Sequence, residues 1–324
     1  MNRRATLLFT LALAVAPARA QTTTWLMPSE YPATAMPGEG VTTFAAAVAK
    51  RLDGRLTIKP ALNNELKLKS ADMPSAVAAG RAQAADAFGG AMGSVSTAFA
   101  LSSLPFVTAS LEDARKLADA GRPLYAKTFA GLGLKLLYVT PWPPSGIWSK
   151  GALAGPADLQ GLAIRTYDGT STGVLKAAGA NAQNLSFNEV MPKLAEGSVT
   201  AVLSSGDGGA GRRLWTHLPH FTAVNYAFPL SFAFVAQAAF DALPLEDRRL
   251  VEEAAAETEA RQWAAMAGRL ERNYETMRGN GVAIVPQPPA ALLDALKAAA
   301  KPAVDAWAAQ AGDEGRAALG ALRQ

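Results

Sequence analysis

The chain contains no cysteine. That excludes a disulfide scaffold, a thiolate metal site and a cysteine nucleophile. Only two histidines occur, His217 and His220. Their spacing would suit a shared helix face, but Pro219 stands between them and no acidic ligand is near in sequence, so they read as loop histidines and not as a metal site. Aromatic residues make up 7% of the chain, and 31 basic side chains face 27 acidic ones, which argues against a dedicated nucleic-acid surface. After residue 20 no apolar run reaches 18 residues, so that part of the chain reads as not membrane-embedded. Disorder is excluded as well, because half the residues are hydrophobic and the net charge is small.

What is present points to an exported two-domain chain. A length of 324 residues is more than one compact core needs. Asn2-Arg3-Arg4 is a basic start, Ala5 to Val15 is mostly apolar, and Ala18-Arg19-Ala20 fits the small-x-small cleavage pattern. Residues 1–20 therefore read as a signal peptide cleaved near Ala20, with the periplasm as destination. Arg3, Arg4 and Arg19 leave with it, so 28 basic side chains face 27 acidic ones, a net charge of +1. Polyanion binding gets no support from that balance.

Beyond the signal, strands alternate with helices, the pattern of an α/β architecture. Strands are expected at Thr24–Met27, Leu56–Ile58, Ala84–Phe88, Leu134–Val139, Leu162–Arg165, Val199–Leu203, Phe221–Tyr226, Phe228–Gln237 and Ala283–Val285. Helices are expected at 40–50, from Ser70 to Gly80, at 111–120 closed by Gly121, at 170–178 and at 187–196. Pro244 opens a helical pattern over 245–278, about 50 Å long at about 1.5 Å per residue, a reach that suits a brace across two domains. Pro141-Trp142-Pro143-Pro144-Ser145-Gly146 reads as a crossing between domains.

Catalytic motifs are scarce. Ser204-Ser205-Gly206 lacks the glycine two places before either serine, so it is no nucleophile elbow. Gly206, Gly208 and Gly211 match G-x-G-x-x-G, but Asp207 would repel a pyrophosphate and the next strand ends in Asn225-Tyr226 with no acid for a ribose. The alternative is a mobile glycine loop that lets a ligand approach backbone amides. Arg165 stands out, because it ends an apolar strand just before a helix. Ligands of open α/β sheets bind beyond the carboxyl ends of strands, and a guanidinium there can hold a carboxylate through two parallel hydrogen bonds.

In order along the chain, Tyr31-Pro32, Gly54-Arg55-Leu56-Thr57-Ile58, Leu104-Pro105-Phe106, Pro156-Ala157-Asp158-Leu159-Gln160-Gly161-Leu162-Ala163-Ile164-Arg165 and Phe240-Asp241-Ala242-Leu243-Pro244 resemble the solute-binding subunits of tripartite ATP-independent periplasmic (TRAP) transporters, DctP type. The resemblance covers nearly the whole chain after the signal. It implies a two-lobed periplasmic binding protein fold, with lobe I formed by 21–141 and 229–270, lobe II by 142–228 and 271–324, and a long helix bracing both. It implies a monomeric carrier without a cofactor that delivers a small organic carboxylate to the TRAP membrane permease subunits, with transport driven by an ion gradient. Arg165 would be the selectivity arginine.

The sequence also departs from that family. A second arginine about twenty residues earlier is missing from Pro144-Ser145-Gly146-Ile147-Trp148. The frequent V-D-G is Val199-Thr200-Ala201, and a downstream asparagine gives way to Ser204-Ser205-Gly206-Asp207. A dianion would have fewer partners, so the expected ligand is a monocarboxylate, aromatic or branched, of the hydroxy or keto acid kind. Trp142, Trp148, Met92 and Phe228 are expected as apolar walls. Tyr31, Asn63, Asn64, Gly90, Ser204, Ser205 and Asp207 are the expected polar cleft residues. Two other readings stand beside this one: an exported Rossmann-like oxidoreductase using the Gly206–Gly211 loop, and a ligand-presenting sensor subunit.

Overall fold

A computed structural model describes residues 22–323. The signal-peptide expectation for residues 1–20 lies outside the described residues. Lobe I opens with β1 (Thr23–Pro28), α1 (Met36–Leu52) and β2 (Leu56–Ala61). Alternation sends Trp25 and Met27 of β1, and Leu56 and Ile58 of β2, into the interior. In α1 the acid Glu39 lies in the first turn and Lys50 and Arg51 in the last, complementing the helix dipole, while Val41, Phe44 and Val48 pack inward at helical spacing. The lobe continues through α2 (Met73–Ala78), β3 (Ala84–Phe88), the short α3 (Gly89–Met92), α4 (Leu111–Gly131) and β4 (Leu134–Pro141). Helix α4 starts where expected, with the Ser110 hydroxyl accepting from Asp113 N at 3.0 Å. It does not stop at Gly121. A Cβ there would lie 2.9 Å from Leu101 Cδ2 and 3.0 Å from Tyr125 Cε2, so this glycine serves close packing and the helix runs through it.

Lobe II contains β5 (Ser145–Ser149), β6 (Ala163–Thr166), α5 (Gly169–Ala177), β7 (Asn181–Asn184), α6 (Phe187–Glu196), β8 (Ala201–Ser205), α7 (Gly206–Gly211) and β9 (His220–Thr222). The capping box read for 187–196 is present: Ser186 Oγ accepts from Glu189 N, and Ser186 N donates to the Glu189 carboxylate. The segment Gly206–Gly211 is not a mobile loop but a buried helical turn. It begins with Ser205 Oγ accepting from Gly208 N at 3.0 Å, and Gly209 lies flat against the Trp148 indole.

The chain then returns as β10 (Leu230–Ala236), which inserts between β3 and β4, antiparallel to both. After α8 (Gln237–Asp241) comes α9 (Leu245–Gly279), 35 residues. Val251, Ala254 and Ala255 of α9 join the lobe I core, whereas Tyr274 and Met277 join that of lobe II. The helix is therefore a brace across both. Strand β11 (Ala283–Val285) completes the six-stranded lobe II sheet, whose order is β11-β9-β5-β8-β6-β7. Two helices finish the chain, α10 (Ala290–Gln310) and α11 (Gly312–Gly320). The sequence reading put all of 271–324 in lobe II, but this stretch divides between the lobes. Leu292, Leu296 and Ala300 pack into lobe II, whereas Trp307 and Ala318 pack into lobe I.

The two segments that cross between lobes run side by side. Trp142 N donates to Pro229 O at 2.9 Å, Ser145 N to Ala227 O at 2.9 Å, and Tyr226 N to Ser145 O at 2.8 Å. The proline-rich stretch around Trp142 is one of these crossings. Phe228, expected inside a strand and as a cleft wall, instead lies in the other crossing, before β10 begins.

Candidate functional site

Strand β6 pairs in parallel with β7 on one side and β8 on the other, so Arg165 near its carboxyl end is enclosed by protein. The residue is 4% exposed. Nε donates to Leu185 O at 2.6 Å and Nη1 to Leu203 O at 3.2 Å, and the guanidinium carbon lies 4.4 Å from the centre of the Phe187 ring. Two nitrogens are thus committed to the backbone, and Nη2 is left for a ligand. Among the described residues no carboxylate forms an ion pair with Arg165. Burial pulls its pKa down, opposed by Tyr31, Glu30, Tyr167 and Asp168. A buried cation without a counter-ion is costly, and an anion placed against it recovers that cost.

Around the guanidinium lies a small recess walled by Tyr31, Phe88, Trp142, Tyr167 and Phe187, with Ser145, Ser204 and Ser205 on its polar side. The rings hold one another edge to face. Tyr31 and Trp142 are 4.7 Å apart between centroids, and Phe88 and Tyr167 are 5.1 Å apart. Trp142 Nε1 donates to Ser231 Oγ at 3.0 Å, which fixes the indole. Arg165, Tyr31, Phe88 and Tyr167 also border an outer cavity of about 610 Å³, which reaches Gly90, Asp168 and the α10 residue Ala306.

Asp168 caps α5. Its Oδ1 accepts from Ser171 N and Ser171 Oγ, both at 2.6 Å, whereas the buried Oδ2 has no partner among the described residues. Burial pushes its carboxyl up to about 6, against the pull of the Ser171 hydrogen bonds and Arg165. Deeper in lobe I, Asp86 is fully buried and its pKa is pushed up to about 7 by that burial, although Ser29 Oγ donates to it at 3.0 Å.

The cleft is closed by contacts between lobes. Lys69 Nζ meets Glu189 at 2.7 Å, which holds the Glu189 carboxyl down at about 2. Arg212 Nη1 donates to Asn63 Oδ1 at 2.9 Å and Nη2 to Glu30 O at 2.7 Å.

Of the residues singled out from sequence, Arg165, Tyr31, Trp142, Ser204 and Ser205 come together at the recess, and Gly90 borders the outer cavity. The others lie elsewhere. Trp148 is fully buried on the far side, 5.2 Å from Phe221, with Nε1 donating to Ser205 O. Met92 is buried in the lobe I core. Asn63 and Asn64 form a turn with φ of 55° and 59°, a conformation asparagine tolerates; Asn63 serves the interlobe contact with Arg212. Asp207 is no ligand group. Its Oδ2 accepts from Met36 N at 2.8 Å and its Oδ1 from Arg269 Nε at 2.6 Å, so it ties lobe II to the start of α1 and to the brace.

Sequence reasoning missed Phe88, Tyr167, Asp168 and Phe187. Two signals were available. Asp168 stands three residues before Ser171 at a helix start, the N-cap spacing, and Phe187 follows a capping-box serine and so sits at the mouth of a helix.

Two α/β lobes joined by paired crossing strands, with a buried arginine in the cleft between them, have the architecture of a solute receptor. The family model of the bacterial extracellular solute-binding proteins, family 7 (DctP), matches residues 29–310, and the chain belongs to that family. DctP7 of Bordetella pertussis, an extracytoplasmic solute receptor binding pyroglutamic acid, superposes with a TM-score of 0.89 at 30% identity, over 93% of this chain and 100% of that one. A marine metagenome TRAP solute-binding protein specific for pyroglutamate gives a TM-score of 0.88 at 29% identity, over 94% and 99%. A solute-binding protein of Chromohalobacter salexigens is 23% identical over 280 residues, 82% of this chain and 80% of its own. The resemblance read from the motifs therefore holds. Proteins of this family are periplasmic receptors that work with a membrane permease, and among the described residues no helix is long and apolar enough to cross a membrane.

Proposed function

We propose that this chain captures a compact monocarboxylate in the recess at Arg165 and presents it, as a monomer, to the permease subunits of its transporter. Pyroglutamate or a closely similar five-membered ring acid is the favoured ligand. One observation carries the reading: Arg165 is buried, forms no ion pair with a carboxylate among the described residues, and borders a recess walled by aromatic rings. The single guanidinium suits one carboxylate, and the flat rings of Tyr31, Phe88 and Trp142 suit the faces of a small ring. The binding of pyroglutamic acid by one relative at 30% identity and the pyroglutamate specificity of another at 29% support the same choice. An open-chain hydroxy or keto acid would leave part of the ring surface uncovered.

Export follows from the reading of residues 1–20, with removal near Ala20. A thermal-shift screen tests the ligand, because a compound bound only by the native state raises the melting temperature. Pyroglutamate is expected to raise it more than galactonate, succinate or lactate. A larger rise with galactonate than with pyroglutamate would refute the assignment.

A further inference from the structure

A second cation lies close to the recess. The Arg212 guanidinium carbon is 5.7 Å from the centre of the Phe187 ring, the same ring that receives Arg165 at 4.4 Å. Like Arg165, Arg212 forms no ion pair with a carboxylate among the described residues, and burial pulls its pKa down. Its acceptors are neutral and belong to lobe I. Nη2 donates to Glu30 O at 2.7 Å and Nη1 to Asn63 Oδ1 at 2.9 Å, while the buried Nε has no acceptor among the described residues. Both acceptors are built into the lobe I side of the recess. Asn63 N donates to Tyr31 O at 2.9 Å, and Glu30 precedes Tyr31 in the chain. The Glu30 carboxylate accepts from Ser70 N and Ser70 Oγ, and Ser70 Oγ accepts in turn from Phe88 N at 3.0 Å. One side chain of lobe II is thus bonded to the framework that sets Tyr31 and Phe88, while it lies against Phe187, a wall supplied by its own lobe.

Resting on the reading that a carboxylate binds Arg165, we infer that Arg212 is a positioning residue: it borders neither the recess nor the outer cavity, and it clasps the walls of the recess together once the solute is in place. Its two bonds to lobe I exist only while the lobes are together, so a trapped solute leaves after both have broken. Two cations beside one ring also repel each other. A carboxylate at Arg165 relieves that repulsion, so capture of an anion and formation of the clasp favour each other. Arg212 then governs how long the solute stays, whereas Arg165 governs whether it is held at all.

Stopped-flow fluorescence with pyroglutamate, read through Trp142 at the recess, separates the two rates in the parent, Arg212→Ala, Arg212→Lys, Asn63→Gly and the R212A/N63G double variant. Glycine is the choice at position 63 because φ there is 55°, a torsion glycine adopts freely, so the change removes the acceptor and keeps the turn. R212A is expected to speed dissociation about 10- to 100-fold, the range for hydrogen bonds from a charged donor, with association within about threefold of the parent. R212K, which keeps the charge but not the fork, is expected to fall between them. N63G is expected to speed dissociation less than R212A and to add nothing in the R212A background, where its donor is already gone. Melting temperatures of the unliganded variants check folding; a loss of stability alone lowers them without producing this pattern of rates, and should R212A not fold, R212K and N63G decide by the same criteria. Dissociation from R212A within about twofold of the parent, a loss of affinity carried by slower association, or an equal effect of N63G in both backgrounds would overturn the role of Arg212 and leave the carboxylate reading of Arg165 standing. Failure of the parent to bind pyroglutamate would overturn that reading and this inference with it.

Discussion

Replacing Arg165 by alanine tests the centre of the binding account. The guanidinium is almost wholly desolvated, and its Nη2 makes no hydrogen bond among the described residues. A carboxylate held there loses its water on closure and depends on that one cation. Stranding one member of such a buried pair costs about 3–5 kcal/mol, which at about 1.4 kcal/mol per decade is roughly two to four orders of magnitude in affinity. Titration calorimetry with pyroglutamate reads this loss directly. Arg165→Lys separates charge from shape. A lysine keeps the cation but cannot hold the Leu185 and Leu203 carbonyls together with a ligand, so its affinity is expected to fall between those of the parent and R165A. The melting temperature of unliganded R165A checks that the fold survives, since the change also removes a buried charge that forms no ion pair among the described residues. An R165A affinity within threefold of the parent, in a folded variant, would refute the reasoning.

Two further outcomes follow from buried carboxylates away from the recess. Asp207→Ala removes the hydrogen bond to Met36 N and the closer of the two acidic partners of Arg269, with Glu39 remaining at 3.0 Å; urea denaturation is expected to show a loss of about 2–3 kcal/mol, and a change below about 0.5 kcal/mol would rule out a structural tie there. Burial raises the Asp86 carboxyl to about 7 in the folded protein, so the folded state binds the proton more tightly than the unfolded one. The stability contributed by that proton is present in full below the ordinary carboxylate range and is lost as the pH rises through about 7. Asp86→Asn is therefore expected to change stability least below about pH 4, to raise it relative to the parent at pH 8, and to flatten the decline between them; an identical pH profile for parent and variant would exclude Asp86 as its source.

Much of the fold was legible because its signals are local. Strand Ala84–Phe88, the capping box at Ser186 and the long helix after Pro244 all rest on spacing within one element, and they lie where the sequence put them. Gly121 shows where local reading fails. A glycine at the end of a periodic stretch looks like a stop, but here Leu101, from outside the helix, and Tyr125, one turn further on, crowd its bare Cα, and the Leu101 contact is tertiary. The site divides along the same line. Arg165 was readable because a strand end before a helix has a fixed meaning in an α/β sheet. Trp142 and Trp148, six residues apart near one crossing, could not be told apart. Which of them faces the recess depends on the pairing of β5 with β8 and β9, which puts Trp148 against Phe221. Asp207 was misplaced for a related reason: its partners, Met36 and Arg269, are 171 and 62 residues away.

The pair of crossing segments also bears on how cargo is given up. Trp142–Ser145 and Tyr226–Pro229 are bonded to each other, and prolines at 141, 143, 144 and 229 restrict their backbone torsions. That pairing stiffens one of the links between the lobes, beside the α9 brace. Little disorder is lost when prey is trapped, which favours tight capture. If the lobes part to release a solute, they part against that stiffness.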